Sequence, residues 1–224
     1  MGNIFKPKER IDDILEQYQT ILGVPVEQGE TVKQLNNKNF TGVIQHPRGY
    51  EKYLRGVRHC PDGPALVYDN NYSYYLYGKL HRQDGPAYVW YDQIGWFLNG
   101  QRHRVGGPAL ESKEAKKWYV HGLLHREDGP AIEWHDGSKL YYQRDLLHRI
   151  DGPALISANG SQHWYYNGYL HREDGPALIL PTGYSVWFKH GKKHREDGPA
   201  VEAKGLREYW YYGKRHRIGG PAVE

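Results

Sequence analysis

Apolar and polar positions along residues 41–224 recur in one pattern. An apolar run, such as Leu66-Val67-Tyr68 or Tyr88-Val89-Trp90, leads into a polar turn. An aromatic run follows, such as Tyr74-Tyr75-Leu76-Tyr77 or Trp164-Tyr165-Tyr166, and most of these runs end near a Gly. Short aromatic and β-branched runs between Gly-containing turns read as strands, two per period, hence a hairpin. Histidines at 59, 81, 103, 125, 148, 171, 194 and 216 mark the period, with gaps of 22, 22, 22, 23, 23, 23 and 22 residues. The prediction is an all-β repeat: an elongated, twisted, antiparallel single-layer sheet of 22–23-residue β-hairpin repeats.

Asp136-Gly137 and Asn159-Gly160 read as two-residue hairpin loops, because Gly accepts positive φ, and Thr182-Gly183 takes the same place. That loop length pairs Ile132 with Tyr141, Ala131 with Tyr142 and Leu155 with Trp164. It obliges the 22-residue units to use a three-residue loop or to slip by one. Alternation along the strands then separates two faces. One carries Leu66, Ile132 and Val201 beside Tyr74, Trp96, Trp118, Trp164 and Trp187. The other carries Tyr119, Tyr142, Tyr165 and Trp210.

The first 40 residues break the pattern. In "KERIDDILEQYQTILG", Ile11, Ile14, Leu15, Tyr18, Ile21 and Leu22 form one helical stripe, closed by Gly23 and Pro25. The expected organisation is an N-terminal amphipathic helix and linker over 1–40, capping a sheet end or binding a partner. The repeat array follows over 41–224, with a degenerate first hairpin at 41–56, about seven full units and a truncated last one. An open final strand would allow an end-to-end or edge-strand homo-oligomer.

Each histidine stands in a unit written G-x-x-H-R-x-D-G-P-A, for example His81-Arg82-Asp84, His125-Arg126-Asp128 and His171-Arg172-Asp174. A single "LHREDGPA" has the residue types of a general acid–base centre. An active site needs one residue placed unlike the others, and here there are eight near-copies, so the motif is read as structural. The Asp supports a turn, Arg pairs with an Asp of its own or the next unit, and His donates a ring N–H to a carbonyl. Equivalent histidines two strands on stand roughly 9–10 Å apart, too far to share a metal ion. No metal or cofactor is expected, and no catalytic residue.

Cys60 replaces the Arg of the first unit, Asp145 the leading Gly of the fifth, and Gly106 and Gly219 the Asp of the third and eighth. If Arg pairs with Asp, Arg104 and Arg217 are freer than their counterparts to meet an external anion.

Composition sharpens this picture. The chain has 224 residues, only 38% hydrophobic, yet 20 Tyr, 7 Trp and 4 Phe. That aromatic load excludes a disordered tail and points to a thin, turn-rich protein packed with rings. One cysteine excludes an internal disulfide framework and suits a reducing compartment. No signal peptide and no transmembrane run are read, so a cytoplasmic protein is expected. The net charge of +4 is concentrated late, with Lys192, Lys193, Lys214, Arg215 and Arg217 as anion-binding candidates beside Arg104.

Stretches such as "WYYNGYLH" (164–171) and "WYVHGLLH" (118–125) resemble the MORN repeat, a 23-residue hairpin unit built on Y-x-G-x-W-x-x-G-x-x-H-G-x-G. The resemblance covers 41–224. The chain departs from it by the residues between His and Gly and by Gly-Pro-Ala. Its HREDGPA units are also similar to arrays in phage and bacterial proteins. The resemblance implies a binding scaffold for proteins or lipid head groups, not an enzyme. The expected function is docking on a partner protein through an aromatic face, anchored by Trp96, Trp118, Trp164 and Trp187 or by Tyr119, Tyr142, Tyr165 and Trp210. A phage-encoded inhibitor of a host protein, acting in the host cytoplasm, fits that expectation. The alternative is a binder of anionic lipid or nucleic acid through the basic C-terminal repeats.

Overall fold

The computed structural model describes residues 37–224. The expected N-terminal helix lies outside the described residues. The described chain is all β, with no helix.

Every repeat contributes two hairpins. The first, the sheet hairpin, pairs strands such as Leu66–Tyr68 with Asn71–Ser73. Its outer strand then pairs with the first strand of the next unit, as Asn71–Ser73 does with Tyr88–Trp90. Repeated from Gly42–His46 to Leu206–Glu208, this gives one antiparallel sheet in chain order, without a crossover. Sixteen strands in series at ~4.8 Å span roughly 70 Å before twist.

The second is a tip hairpin of two-residue strands, such as Tyr75–Leu76 with Lys79–Leu80 or Tyr165–Tyr166 with Tyr169–Leu170. Its turn is Tyr77-Gly78, Asn99-Gly100, His121-Gly122 or their equivalents, with φ positive at both residues. That is the type I′ geometry whose twist matches the flanking strands. The Gly before each histidine is therefore a hairpin tip, a role the sequence reading did not give it. In the fifth unit Arg144 and Asp145 adopt the same conformation, and Asp145 Oδ1 compensates by accepting the Leu124 N–H at 2.7 Å. Each tip also donates across units: the Gly168 N–H reaches Leu147 O and the Gly191 N–H reaches Leu170 O, both at 2.8 Å. The tips thus form a second row beside the sheet.

The register corrects the expected loop lengths, which were reversed. Ile132 opposes Leu140, not Tyr141, and Leu155 opposes His163, not Trp164. The 23-residue units use three-residue loops, in which Gly137, Gly160 and Gly183 come last with positive φ. Pro181 shows why: fixed near φ −65°, it fits the first position of a type I turn and not of a type I′ turn. The 22-residue units use two-residue loops, such as Asp69-Asn70 between Tyr68 and Asn71, or Lys204-Gly205 between Ala203 and Leu206. The single extra residue is the whole difference between the periods.

This shift reassigns the faces. Leu66, Ile132 and Val201 share the front face with Ser73, Leu140 and Glu208, one residue before the corner aromatics. The corner rings Tyr74, Trp96, Trp118 and their equivalents lie on the back. The buried spine runs between them: Ala65, Ala87, Ala109, Ala131, Ala154, Ala177 and Ala200 are all 0% exposed. Each of these carbonyls accepts the N–H of the corner residue in the preceding hairpin, as Ala131 does from Trp118 at 2.8 Å. A larger side chain has no room there.

Candidate functional surfaces

The back face is built from the motif arginine and the corner ring eight residues before it. Arg82 stands over Tyr74 at 4.2 Å, Arg104 over Trp96 at 3.7 Å, Arg126 over Trp118 at 4.1 Å and Arg149 over Tyr141 at 4.0 Å. Arg172 over Trp164 and Arg195 over Trp187, both at 4.2 Å, and Arg217 over Tyr209 at 3.9 Å complete the row. The motif Gly makes this possible: a Cβ on Gly129 would stand 2.9 Å from Arg126 Cζ. Each guanidinium thus lies between a ring and a bare glycine.

The guanidinium is also tied within its own unit. Arg126 Nε donates to Asp128 Oδ1 at 3.0 Å, and Nη1 to Pro130 O at 3.3 Å and Glu133 Oε1 at 2.9 Å. The pairing is with the unit's own Asp. Asp84, Asp128, Asp151, Asp174 and Asp197 are held below the ordinary carboxylate range, first by the arginine hydrogen bond in each.

Where the Asp is missing, Arg104 pairs with Glu111 at 3.0 Å and Arg217 with Glu224. Arg126 and Arg195 have the same glutamate seven residues on in addition to their Asp, so Arg104 and Arg217 have one carboxylate partner fewer than these two, yet neither stands without one. In the first unit both members of the stack change together. Lys52 occupies the corner and Cys60 the arginine position, with Nζ 3.6 Å from Sγ.

The histidines face the tips, and their role is the reverse of the expected one. Nδ1 of His81 accepts the Asn99 N–H at 3.1 Å, and Nδ1 of His148 accepts the Asn167 N–H at 3.1 Å. The same bond joins His59 to Tyr77, His103 to His121, His171 to His190 and His194 to Tyr212. Each of these six histidines therefore carries its proton on Nε2 and ties its unit to the next tip. The series breaks once: His125 Nδ1 is buried without a partner, opposite the aberrant Arg144-Asp145 tip. Among the described residues no three His, Cys, Asp or Glu side chains converge as a metal site.

The front face differs. The Tyr88 and Phe97 rings meet at 5.8 Å, which joins the front of the sheet to the inner side of the tip row. Tyr119, Tyr142 and Tyr165 follow along that inner side, opposite Leu124, Leu147 and Leu170, and all three are half-buried. Burial raises the Tyr142 and Tyr165 hydroxyls above their usual range. Beside Leu140 and Leu155, a groove of about 370 Å³ opens, lined also by Trp134 and Ile156 with Asp136, Ser138 and Ser157 at its polar rim.

Both ends of the inner face are closed by a carboxylate. Glu51 is fully buried, 2.8 Å from Arg58 Nε, and accepts the Tyr53 hydroxyl at 2.7 Å. Glu208 accepts Trp210 Nε1 at 2.8 Å and pairs with Arg215 at 2.9 Å and Lys193 at 3.8 Å. Lys193 and Arg215 flank the Trp210 ring at 4.6 and 5.2 Å. Trp210 thus differs from Tyr142 and Tyr165, which adjoin leucines, in having a cation on each side.

The structure divides the predicted site residues accordingly. Trp96, Trp118, Trp164 and Trp187 lie on the back under arginine, and Tyr119, Tyr142 and Tyr165 line the front. Of the six anion-binding candidates, Arg104, Lys193, Arg215 and Arg217 are paired internally. Lys192 and Lys214 are exposed and make no ion pair among the described residues. Trp134, Leu140 and Leu155 were not singled out in the sequence. The signal for them was the loop length, which puts Leu140 opposite Ile132 and so on the front, where Leu155 of the next unit pairs with it.

No family model matches the chain, and no curated protein matches it. No helix among the described residues is long and apolar enough to cross a membrane.

Proposed function

We propose that the chain is a non-enzymatic, MORN-like scaffold that docks on a partner protein through the front of its repeat sheet. The observation that carries this reading is the asymmetry of the two aromatic ladders. The back rings are already covered by arginines that are tied to carboxylates and carbonyls of their own units. On the front, Tyr119 has Arg102 over its ring at 5.4 Å, whereas Tyr142 and Tyr165 adjoin leucines and an open groove beside Trp134. Tyrosine and tryptophan over a desolvated apolar surface are the residues that dominate binding energy at interfaces. The eightfold motif is fully used in turn and stacking roles, which supports a scaffold without turnover. The likeness to phage arrays extends the reading to a host protein as the target, met in the host cytoplasm. An anionic-lipid or nucleic-acid ligand draws less support, because four of its six candidate cations have internal partners.

Site-specific photo-cross-linking in the native cell tests the reading. A benzoylphenylalanine placed at 142 or 165 is expected to capture one partner protein, whereas the same probe at 118, on the back, captures none. Equal capture from both faces, or a partner held by 118 alone, would refute front-face docking.

A further inference from the structure

A second surface stands out on the outer side of the tip row. Alternation puts Tyr75, Phe97 and Tyr119 on the inner side. Their chain neighbours therefore point outward, as eight cross-strand pairs from Leu54–Val57 to Tyr211–Lys214. None of these sixteen positions is acidic, and four are lysine: Lys79, Lys189, Lys192 and Lys214. The distribution is graded. In the fourth to sixth tips the face is apolar, with Leu123 42% exposed, Leu146 48% and Tyr169 61%. In the next two tips it is cationic, with Lys189, Lys192 and Lys214.

These side chains lean over the next tip. A Cβ added at Gly168 would first meet Leu146, one at Gly191 Tyr169, and one at Gly213 Lys192. The stripe is therefore a continuous ridge whose members step from tip to tip by roughly 9–10 Å. The only carboxylate ion-paired with its lysines is Glu173, 4.0 Å from Lys189 among the described residues. A row of exposed large apolar residues continuing into Lys192 and Lys214, which make no ion pair among the described residues, marks an interaction site for a surface of matching polarity.

We propose that this outer ridge, over units four to eight, is a second docking surface, and that its occupant is an acidic polypeptide segment bearing apolar side chains. The apolar groups meet Leu123, Leu146 and Tyr169, and the carboxylates meet Lys192 and Lys214. The proposal goes beyond front-face docking and does not depend on it.

The test uses the full chain and a fluorescein-labelled random copolymer of Glu and Tyr, followed by fluorescence anisotropy. Binding is expected, with at least a tenfold loss in Lys192→Glu/Lys214→Glu and a several-fold loss in Leu146→Ser. Poly-Glu, which supplies charge alone, is expected to bind at least tenfold more weakly than the copolymer. All three positions are exposed, so the melting curve of each variant should match the parent and exclude misfolding. Unchanged affinity after charge reversal overturns the proposal. So does tighter binding of polyphosphate or phosphatidylserine vesicles through the same lysines, which would make the ridge a general polyanion surface. Tyr142→Ala serves as the front-face control and should leave copolymer binding intact. Loss of binding in Tyr142→Ala with retention in the lysine variant would place the copolymer on the front, sinking the ridge proposal while leaving the scaffold reading standing.

Discussion

Seven arginines each cover an aromatic ring eight residues earlier. In the one unit where arginine gives way, to Cys60, the ring gives way too, to Lys52. That paired change within a single chain marks the stack as a unit of stability. A cation over a ring contributes about 0.5–2 kcal/mol, and the ties to Asp, Pro carbonyl and Glu add to it, discounted because these carboxylates are largely exposed. Arg126→Ala should therefore lower stability by about 2 kcal/mol in urea denaturation. Arg126→Lys should recover less than half of that, since lysine lacks the planar fork. Gly129→Ala places a methyl 2.9 Å from Arg126 Cζ and should cost about 1–2 kcal/mol on its own. In the Arg126→Ala background that cost should disappear, because the clashing group is gone. Two independent, additive losses would show that the glycine serves the backbone and not the arginine. The constant offset of eight is visible in the sequence, yet it joins positions on no common helix or strand, so periodicity of 2 or 3.6 does not reveal it.

At the scale of the element, the sheet hairpins were legible from alternation, and the tip hairpins were not. Asn99-Gly100 and Asn167-Gly168 carry the Asn-Gly signature of a type I′ turn, but Tyr77-Gly78 and His121-Gly122 do not, and the strands beside all of them are only two residues long. What holds a tip is mostly the preceding unit: a backbone bond to its turn Gly and a histidine Nδ1 accepting the residue before it. An imidazolium has no free lone pair, so protonation at Nδ1 breaks this tie. Burial, reinforced by the facing His121 and His190, lowers the His103 and His171 imidazoles below their ordinary value. Around His171, Lys189 also lowers and Glu173 raises it. His163, on the front face, is lowered by burial. A lowered folded value means that the unfolded chain binds protons first. The stability these groups contribute is complete above about pH 6.5 and drains as pH falls through that value and on past the folded ones. The aspartates of the motif act in the same direction but only at carboxylate pH, so two acid phases are expected. Urea midpoints measured between about pH 7.5 and 5 should fall. His103→Asn/His171→Asn, which keeps an acceptor but cannot take a proton, should flatten that dependence. Parallel curves for parent and variant would exclude the histidine ties as its source.

The whole molecule follows from the same nearest-neighbour rule. Strands pair only with strands adjacent in the chain order, tips bond only to the preceding tip, and each alanine carbonyl binds only the preceding corner. No contact requires a particular number of units, in contrast to a closed barrel, where removing a hairpin destroys closure. Stability should then be a sum of unit and interface contributions. Excising residues 148–170, one full period from His148 to the residue before His171, joins Leu147 to His171 in the setting Leu170 now provides. It also leaves the corner, tip and loop positions in phase. The shortened chain should retain its β circular dichroism and unfold in a single transition, with a denaturant slope reduced by roughly an eighth, in proportion to the surface removed. Excising 148–158 instead removes half a period, puts front residues on the back and leaves the Tyr141 ring without Arg149, so that chain should not fold. It is this phase that sets the front face. In the 23-residue excision Tyr119, Tyr142 and the Phe188 ring, brought one unit closer, still line one side. Leu178 and Ile179 take the groove positions of Leu155 and Ile156, so front-face capture by a probe at 142 should survive. The outer ridge, by contrast, loses Tyr169 and brings Leu146 directly beside Lys192. Copolymer affinity should drop several-fold while front capture persists, and equal losses on both surfaces would mean that the two faces do not act independently.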